Sequence, residues 1–201
     1  TGEITMNNQR NLGLLLVLMV LFTAMRWPGL LPWNFSPVYA ICFCAGVYFK
    51  GWRAWLLPIG LMFISDVVMN YFHYRPMGFS TFTPHMLVTY ALYIGLVGLG
   101  WRMSENARPI VLITGGMLGA CAFYFATNSV AWLNNPVYVK SWAGWVQSFT
   151  IGEPGYPPPI VFFRNTVFSG ALFTATIVLA VKYFGVGQEE EKVETKLEIN
   201  S

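Results

Sequence analysis

Six stretches of this sequence, at about 9–26, 37–50, 54–73, 85–102, 109–131 and 160–183, are apolar at lengths that few water-facing helices reach. A helix needs roughly 20 apolar residues to cross a hydrocarbon core. Inside that core every backbone N–H and C=O must find a partner within the protein, which leaves helices or a closed barrel. Continuous apolar runs, rather than alternating ones, read as helices. Charged side chains make up 10% of the 201 residues, against about 25% in a soluble domain. The sequence therefore predicts an all-α integral membrane protein, a compact bundle of six transmembrane helices over residues 1–186. A charged tail at 187–201, "GQEEEKVETKLEINS", is expected to be solvated and disordered. The second run is short, roughly 20 Å of helix. It opens at Pro37, a residue suited to a first turn, and stops at Lys50-Gly51, so it is expected to be a tilted or incomplete span held by its neighbours. The first run leads into "RWPGLLPW" without a small-residue cleavage motif and is expected to be a retained span.

With six spans, both termini share a side with the second and fourth connections. That side carries Arg10, Lys50, Arg53, Arg102, Arg108 and Lys182, besides Lys192 and Lys196 in the tail, against Arg26, Arg75, Lys140 and Arg164 opposite. The positive-inside rule then places both termini in the cytoplasm, in a multi-pass protein of the bacterial inner membrane. A net charge of +3, with no dense basic stripe, excludes a nucleic-acid reader.

The two sets of connections differ in kind. The cytoplasmic ones, "KGWR" and "RMSENARP", are tight. The outward ones are long and rich in Trp, Tyr, Phe, Pro and Asn: "RWPGLLPWNFSP", "YFHYRPMGFSTFTPH" and the thirty or so residues from Leu133 to Pro159. Proline-stiffened aromatic loops gathered on one side look like a built surface, although part of that aromatic content belongs to an interfacial belt. Cys42, Cys44 and Cys121 all lie in apolar runs and read as small core residues. Gly115 and Gly119, four apart in "GGMLGACA", form a small-residue stripe for close helix packing, within the chain or against a partner subunit.

Few ionisable groups fall at membrane depth, so each is informative. Asp66 lies roughly 12 Å below the outer end of the third span, where an unpaired carboxylate costs at least about 2.5 kcal/mol. Arg164, in the first turn of the sixth span, is the expected partner, since its planar fork can hold a carboxylate through two hydrogen bonds. Asn128 and Thr127 reach a similar level from the fifth span, Asn34 and Ser36 open the second, Asn70 stands one turn above Asp66, and Asn165 follows Arg164. Two readings stay open: a closed network that sets helix register, or the polar floor of a pocket roofed by aromatic loops. His73 and His85, with Met77 and Met86 nearby, read as wet interfacial residues rather than a metal site, and Glu153 as a turn or lid carboxylate. No cofactor is implied. No phosphate-binding loop, nucleophile triad or zinc-helix motif occurs.

The segments "NFSPVYA", "LPIGLMFISDVVMNY", "ATNSVAWL" and "PPIVFFRNTVFSGALFTA" resemble a family of small bacterial membrane proteins of unknown function, over about 150 residues. That group is similar, more distantly, to the substrate-binding S components of energy-coupling-factor vitamin transporters. The resemblance implies a six-span protein that captures a small molecule at its outward face. Its pocket would be formed by Trp33, Asn34 and Phe35, by residues around Arg75 to Phe82, and by the Trp142–Tyr156 segment with Trp145, above Asp66, Asn128 and Arg164. The first span, "LGLLLVLMVLFTAM", lacks the small-residue stripe through which S components often dock their energising partner. The expected function is solute binding or transport. The rival expectations are an accessory subunit of a larger respiratory or photosynthetic membrane complex, and an enzyme on a lipid or other membrane-embedded substrate with Asp66 as its base.

Overall fold

A computed structural model describes the backbone of residues 2–82 and 84–199 and the side chains of 12–82 and 85–183. Among the described residues the chain is all-helical: α1 (Gly2–Ala24), α2 (Val38–Tyr48), α3 (Arg53–Met69), α4 (Pro84–Trp101), α5 (Pro109–Asn134), α6 (Trp142–Phe149) and α7 (Pro159–Ile199). Helix α3 continues through a π turn, Asn70–Tyr74, and a 3-10 turn, Arg75–Met77, before Gly78 ends it in the left-handed region at φ 90°. Three stretches are long and apolar enough to cross a membrane: Arg53–Met77, Pro109–Asn134 and Pro159–Tyr183. Leu12–Ala24, Val38–Tyr48 and His85–Trp101 are apolar but shorter. Val17, Leu21, Ile94, Leu118, Phe168 and Leu172 stand exposed on these helices. An apolar surface that extensive on a monomer marks contact with lipid or with another protein.

The short second run takes the place that its length demands. Every residue from Val38 to Val47 is buried, and α1, α3, α4, α5 and α7 all pack on α2. A helix of 11 residues is too short to cross a bilayer by itself, but as the axis of a bundle it supplies apolar surface on every side. Its closest neighbour is α4, and the contact is backbone on backbone. A methyl group at Gly46 would stand 2.1 Å from the Val97 carbonyl oxygen, and one at Gly100 would stand 2.0 Å from the Phe43 carbonyl oxygen. Helices α5 and α7 pack glycine against side chain, Gly116 against Thr174 and Gly170 against the Ala120 methyl. The stripe residues Gly115 and Gly119 pack within the chain, against Phe43 with Met103 and against Leu96. Cys42 and Cys44 are buried on α2, and Cys121 is half-buried on α5.

Two features differ from the sequence expectation. The Leu133–Pro159 connection contains α6, whose Ser141 caps the helix by accepting a hydrogen bond from the Gly144 N–H at 3.2 Å. Eight residues are too few for periodicity to stand out, so this region reads as loop from sequence. Helix α7 also runs on to Ile199 through the charged segment expected to be disordered. Glu, Lys, Leu and Gln are good helix formers, and a long apolar helix upstream removes the cost of nucleating a new one.

The backbone contact between α2 and α4 makes a sharp prediction. Gly46→Ala and Gly100→Ala force the two helices apart and are expected to cost about 2–3 kcal/mol or more. Gly95→Ala, on the same helix with nothing within 4 Å of the added methyl, is expected to be neutral or slightly stabilising. Unfolding in mild detergent, followed by thermal or denaturant titration, reads all three. Equal effects at Gly95 and Gly100 would contradict the packing described.

Candidate functional site

The deepest acid of the sequence is paired, but with a different arginine from the one expected. Asp66 on α3 accepts a hydrogen bond from Arg26 Nη2 at its Oδ1, 2.5 Å away, and from the Tyr90 hydroxyl of α4 at its Oδ2, 2.8 Å away. Arg26 Nη1 also donates to the hydroxyl of Ser65, which donates in turn to the Met62 carbonyl at 2.9 Å. Both charged side chains are largely enclosed, at 10% and 13% exposure. Arg26 follows α1, where the chain tightens into short-range turns, Arg26 N–H to Thr23 and Trp27 N–H to Ala24. Its long stem folds back towards α3 from there. The pair thus joins α1, α3 and α4, and the rings continue it inward: Tyr90 meets Tyr93, Tyr93 stacks on Phe123, and Phe123 meets Tyr39 of α2.

Arg164, the expected partner, lies on an exposed face of α7 and makes no ion pair among the described residues. The reason is angular. Its neighbours Thr166, Ser169 and Gly170 are buried and define the inward face of the helix. At about 100° per residue, Arg164 points away from that face. The sequence carried a signal for Arg26, an arginine at the end of an apolar run beside "WPG", but counting outer-side charges treated it as a loop cation.

Above the ion pair lies a partly open cavity of about 360 Å³. Arg26, Asn34, Ser36, Tyr39 and Tyr74 are among its polar lining residues, and Trp27, Trp33, Phe35 and Met69 among the apolar ones. Most of the wall is the proline-rich connection between α1 and α2. Asn34 holds that connection in the left-handed region, φ 59°, which asparagine tolerates better than most side chains. Helix α7 clamps the same turn: Asn165 Nδ2 donates to the Trp33 carbonyl at 2.9 Å, Thr166 reaches the Asn34 carbonyl at 3.5 Å, and Phe162 packs on the Trp33 ring. Trp33, Asn34, Asp66 and Asn165 are therefore gathered around one site.

The other expected residues are employed elsewhere. Asn128 donates to the Tyr124 carbonyl of its own helix at 2.9 Å, and Asn70 pins the following loop through the Thr81 carbonyl at 2.9 Å. Arg75 lies over the Tyr71 ring. His73 sits edge-on to Trp27 and Tyr74. Trp142 and Trp145 pack on each other on α6, where the Trp145 indole donates to Ser129 at 3.0 Å, and Tyr156 is exposed. The Leu133–Pro159 connection is tied to itself and to α5. Tyr124 donates to the Phe149 carbonyl at 2.7 Å, Trp132 to the Val139 carbonyl at 3.0 Å, and Asn135 to Glu153. Burial, reinforced by the Glu153 carboxylate, holds the Tyr138 phenol above its ordinary pKa. None of the residues from 133 to 159 lines the cavity. Arg26, Ser65, Tyr39, Tyr74 and Tyr90 are the site residues that sequence reasoning missed; the tyrosines looked like ordinary members of apolar helices.

Removing one member of an enclosed ion pair costs far more than replacing both. Asp66→Ala is expected to lower stability by about 3–5 kcal/mol, whereas Arg26→Leu combined with Asp66→Leu recovers most of that loss. Arg164→Ala is expected to stay within about 0.5 kcal/mol of the parent, as exposed positions do. Denaturation of the four proteins in the same micelle tests the assignment, and an Arg164→Ala loss equal to that of Asp66→Ala would overturn it.

No curated protein and no solved structure matches the chain. The family of unknown function DUF6580 matches residues 6–192, a stretch that contains every residue of the site just described. The match makes no link to the transporter S components. Because it covers nearly the whole sequence, the chain belongs to the family of unknown function DUF6580.

Proposed function

We infer that this protein is a membrane-embedded binding protein that captures a small molecule at the end of the bundle bearing the long aromatic loops, and that it serves solute uptake. The observation that carries this reading is the cavity over Arg26, about 360 Å³ in volume, within the usual range of ligand sites of about 300–1,000 Å³. Its construction suits binding: rings for stacking, a few amides and hydroxyls for orientation, and one guanidinium held in place from below by Asp66 and Ser65. In this reading the chain is a six-span bundle in which α1 and α4 complete their crossings with flanking residues and α2 is the enclosed sixth. Both termini lie in the cytoplasm of a bacterial inner membrane. These 201 residues contain no phosphate-binding loop, so any nucleotide-driven step lies outside them.

A second reading, an accessory subunit of a larger membrane assembly, draws on a different observation. Val137, Val139, Trp142, Ile151 and Tyr156 expose apolar surface along the Leu133–Pro159 connection. Native purification followed by mass spectrometry separates the two readings, because a solute carrier retains a small molecule and an accessory subunit retains proteins at fixed stoichiometry.

The topology is testable with membrane-impermeant maleimide. Gly155→Cys is expected to label from the outside of intact cells, and Asn106→Cys only after the membrane is opened. The reverse pattern would place the cavity on the cytoplasmic side and end the uptake reading. For the site itself, Trp33→Ala and Asn34→Ala are each expected to weaken binding of the co-purifying molecule by roughly tenfold, equivalent to about 1.4 kcal/mol. Calorimetry or competition binding measures the change, and unchanged affinity in both would remove the cavity from consideration.

A further inference from the structure

The cavity has an apolar neighbour. A groove of about 260 Å³ runs between α1 and α3, walled by Val20, Thr23, Ala24, Leu61, Ile64 and Val68. It reaches Trp27, Met69 and Ser65 at its upper end. Trp27 and Met69 also line the polar cavity, and Ser65 accepts from the same guanidinium that faces that cavity. The two hollows therefore share one wall, Trp27 and Met69, beside the Arg26–Ser65 contact. Val20, Ile64 and Val68 are exposed along the groove, on helices whose outer faces are apolar. The Thr23 hydroxyl is turned back to the Met19 carbonyl at 2.7 Å, so it offers the groove no polar demand. On the α3 side the groove runs from Leu61 to Met69, about 12 Å of helical rise.

We propose that the ligand of this site is a single-chain amphiphile with an uncharged polar head, taken from the membrane: the head enters the Arg26 cavity and the chain leaves sideways through the α1–α3 groove. The proposal rests on the binding reading above and names its ligand class. The charge of the head follows from the pairing. Asp66 already neutralises Arg26, so an anion would compete with a carboxylate held at 2.5 Å. Two of the five guanidinium N–H groups are engaged, which leaves donors for a carbonyl or hydroxyl oxygen. Asn34, Ser36, Tyr39 and Tyr74 offer further hydrogen-bonding partners of the kind an ester, amide or polyol head uses.

The test uses the full chain in detergent and native mass spectrometry with three added probes: a monoacylglycerol, the anionic lysophosphatidate of the same chain length, and glycerol. A saturable one-to-one adduct is expected with the monoacylglycerol. Binding at least about tenfold weaker is expected with glycerol, which lacks the chain whose handful of buried methylenes already accounts for that factor, and with lysophosphatidate, whose anion would compete with the Asp66 carboxylate for Arg26. Ala24→Phe fills the groove without touching the cavity and is expected to reduce the monoacylglycerol adduct by roughly the same factor. Leu118→Phe, on an exposed face of α5, is expected to leave it unchanged. Ile64→Trp closes the groove from the α3 side and replaces Ala24→Phe if that variant unfolds. Preference for lysophosphatidate would overturn the neutral head, and equal adducts in Ala24→Phe and the parent would overturn the lateral chain. If a water-soluble molecule instead co-purifies and binds equally well to parent and Ala24→Phe, the amphiphile falls while the binding function stands. If no probe binds and nothing co-purifies, both fall.

Discussion

The arrangement depends on one short helix being enclosed. Helix α2 has 11 residues, is apolar on every face, and touches α1, α3, α4, α5 and α7. A segment that short cannot satisfy a bilayer by itself, and exposed to water it would forfeit its whole hydrophobic contribution. At the centre of the bundle its length is no handicap. In a membrane, apolar surfaces gain little by leaving lipid, so tight packing must come from close backbone approach. Gly46 and Gly100 provide it where α2 meets α4; where α5 meets α7, Gly116 and Gly170 leave room for the Thr174 and Ala120 side chains. The rest of the fold is arranged around these approaches.

That geometry places the polar cluster. With α1, α3 and α4 all packed on α2, Arg26, Asp66 and Tyr90 arrive at one point from three different segments. An enclosed ion pair adds little net stability compared with apolar residues of the same size, so its use is better sought in what it presents. Here it presents a guanidinium whose orientation is set by an acid, a hydroxyl and a phenol. The π turn after α3, Asn70–Tyr74, brings Tyr74 over the same cavity, and such turns recur at functional sites. The wall facing it is a loop stiffened by prolines and clamped by two side chains of α7. A loop held from both sides in this way has little conformational freedom left to lose.

Helical class, the approximate position of each apolar segment, and the subordinate status of the second were all legible in the sequence, because each follows from length and composition along one stretch of chain. The structure also brings Asn165 onto the Trp33–Asn34 turn; Asn34 and Asn165 stood out as polar residues beside apolar runs, whereas Trp33 was expected only through the resemblance to S components. Choosing the partner of Asp66 was not possible. Arg26 and Arg164 were both expected on the same side of the bundle, and only the rotation of α7 about its axis, set by which face packs on α2 and α5, turned Arg164 outward. Helix α6 escaped notice because eight residues make too short a window for a period to be seen. The sequence by itself determined what must be buried: apolar segments with few charges, and an acid that could not stand alone. Tertiary structure decided which groups meet, because contacts between distant residues depend on helix rotation and approach distance, and those quantities belong to the assembled bundle rather than to any one stretch of it.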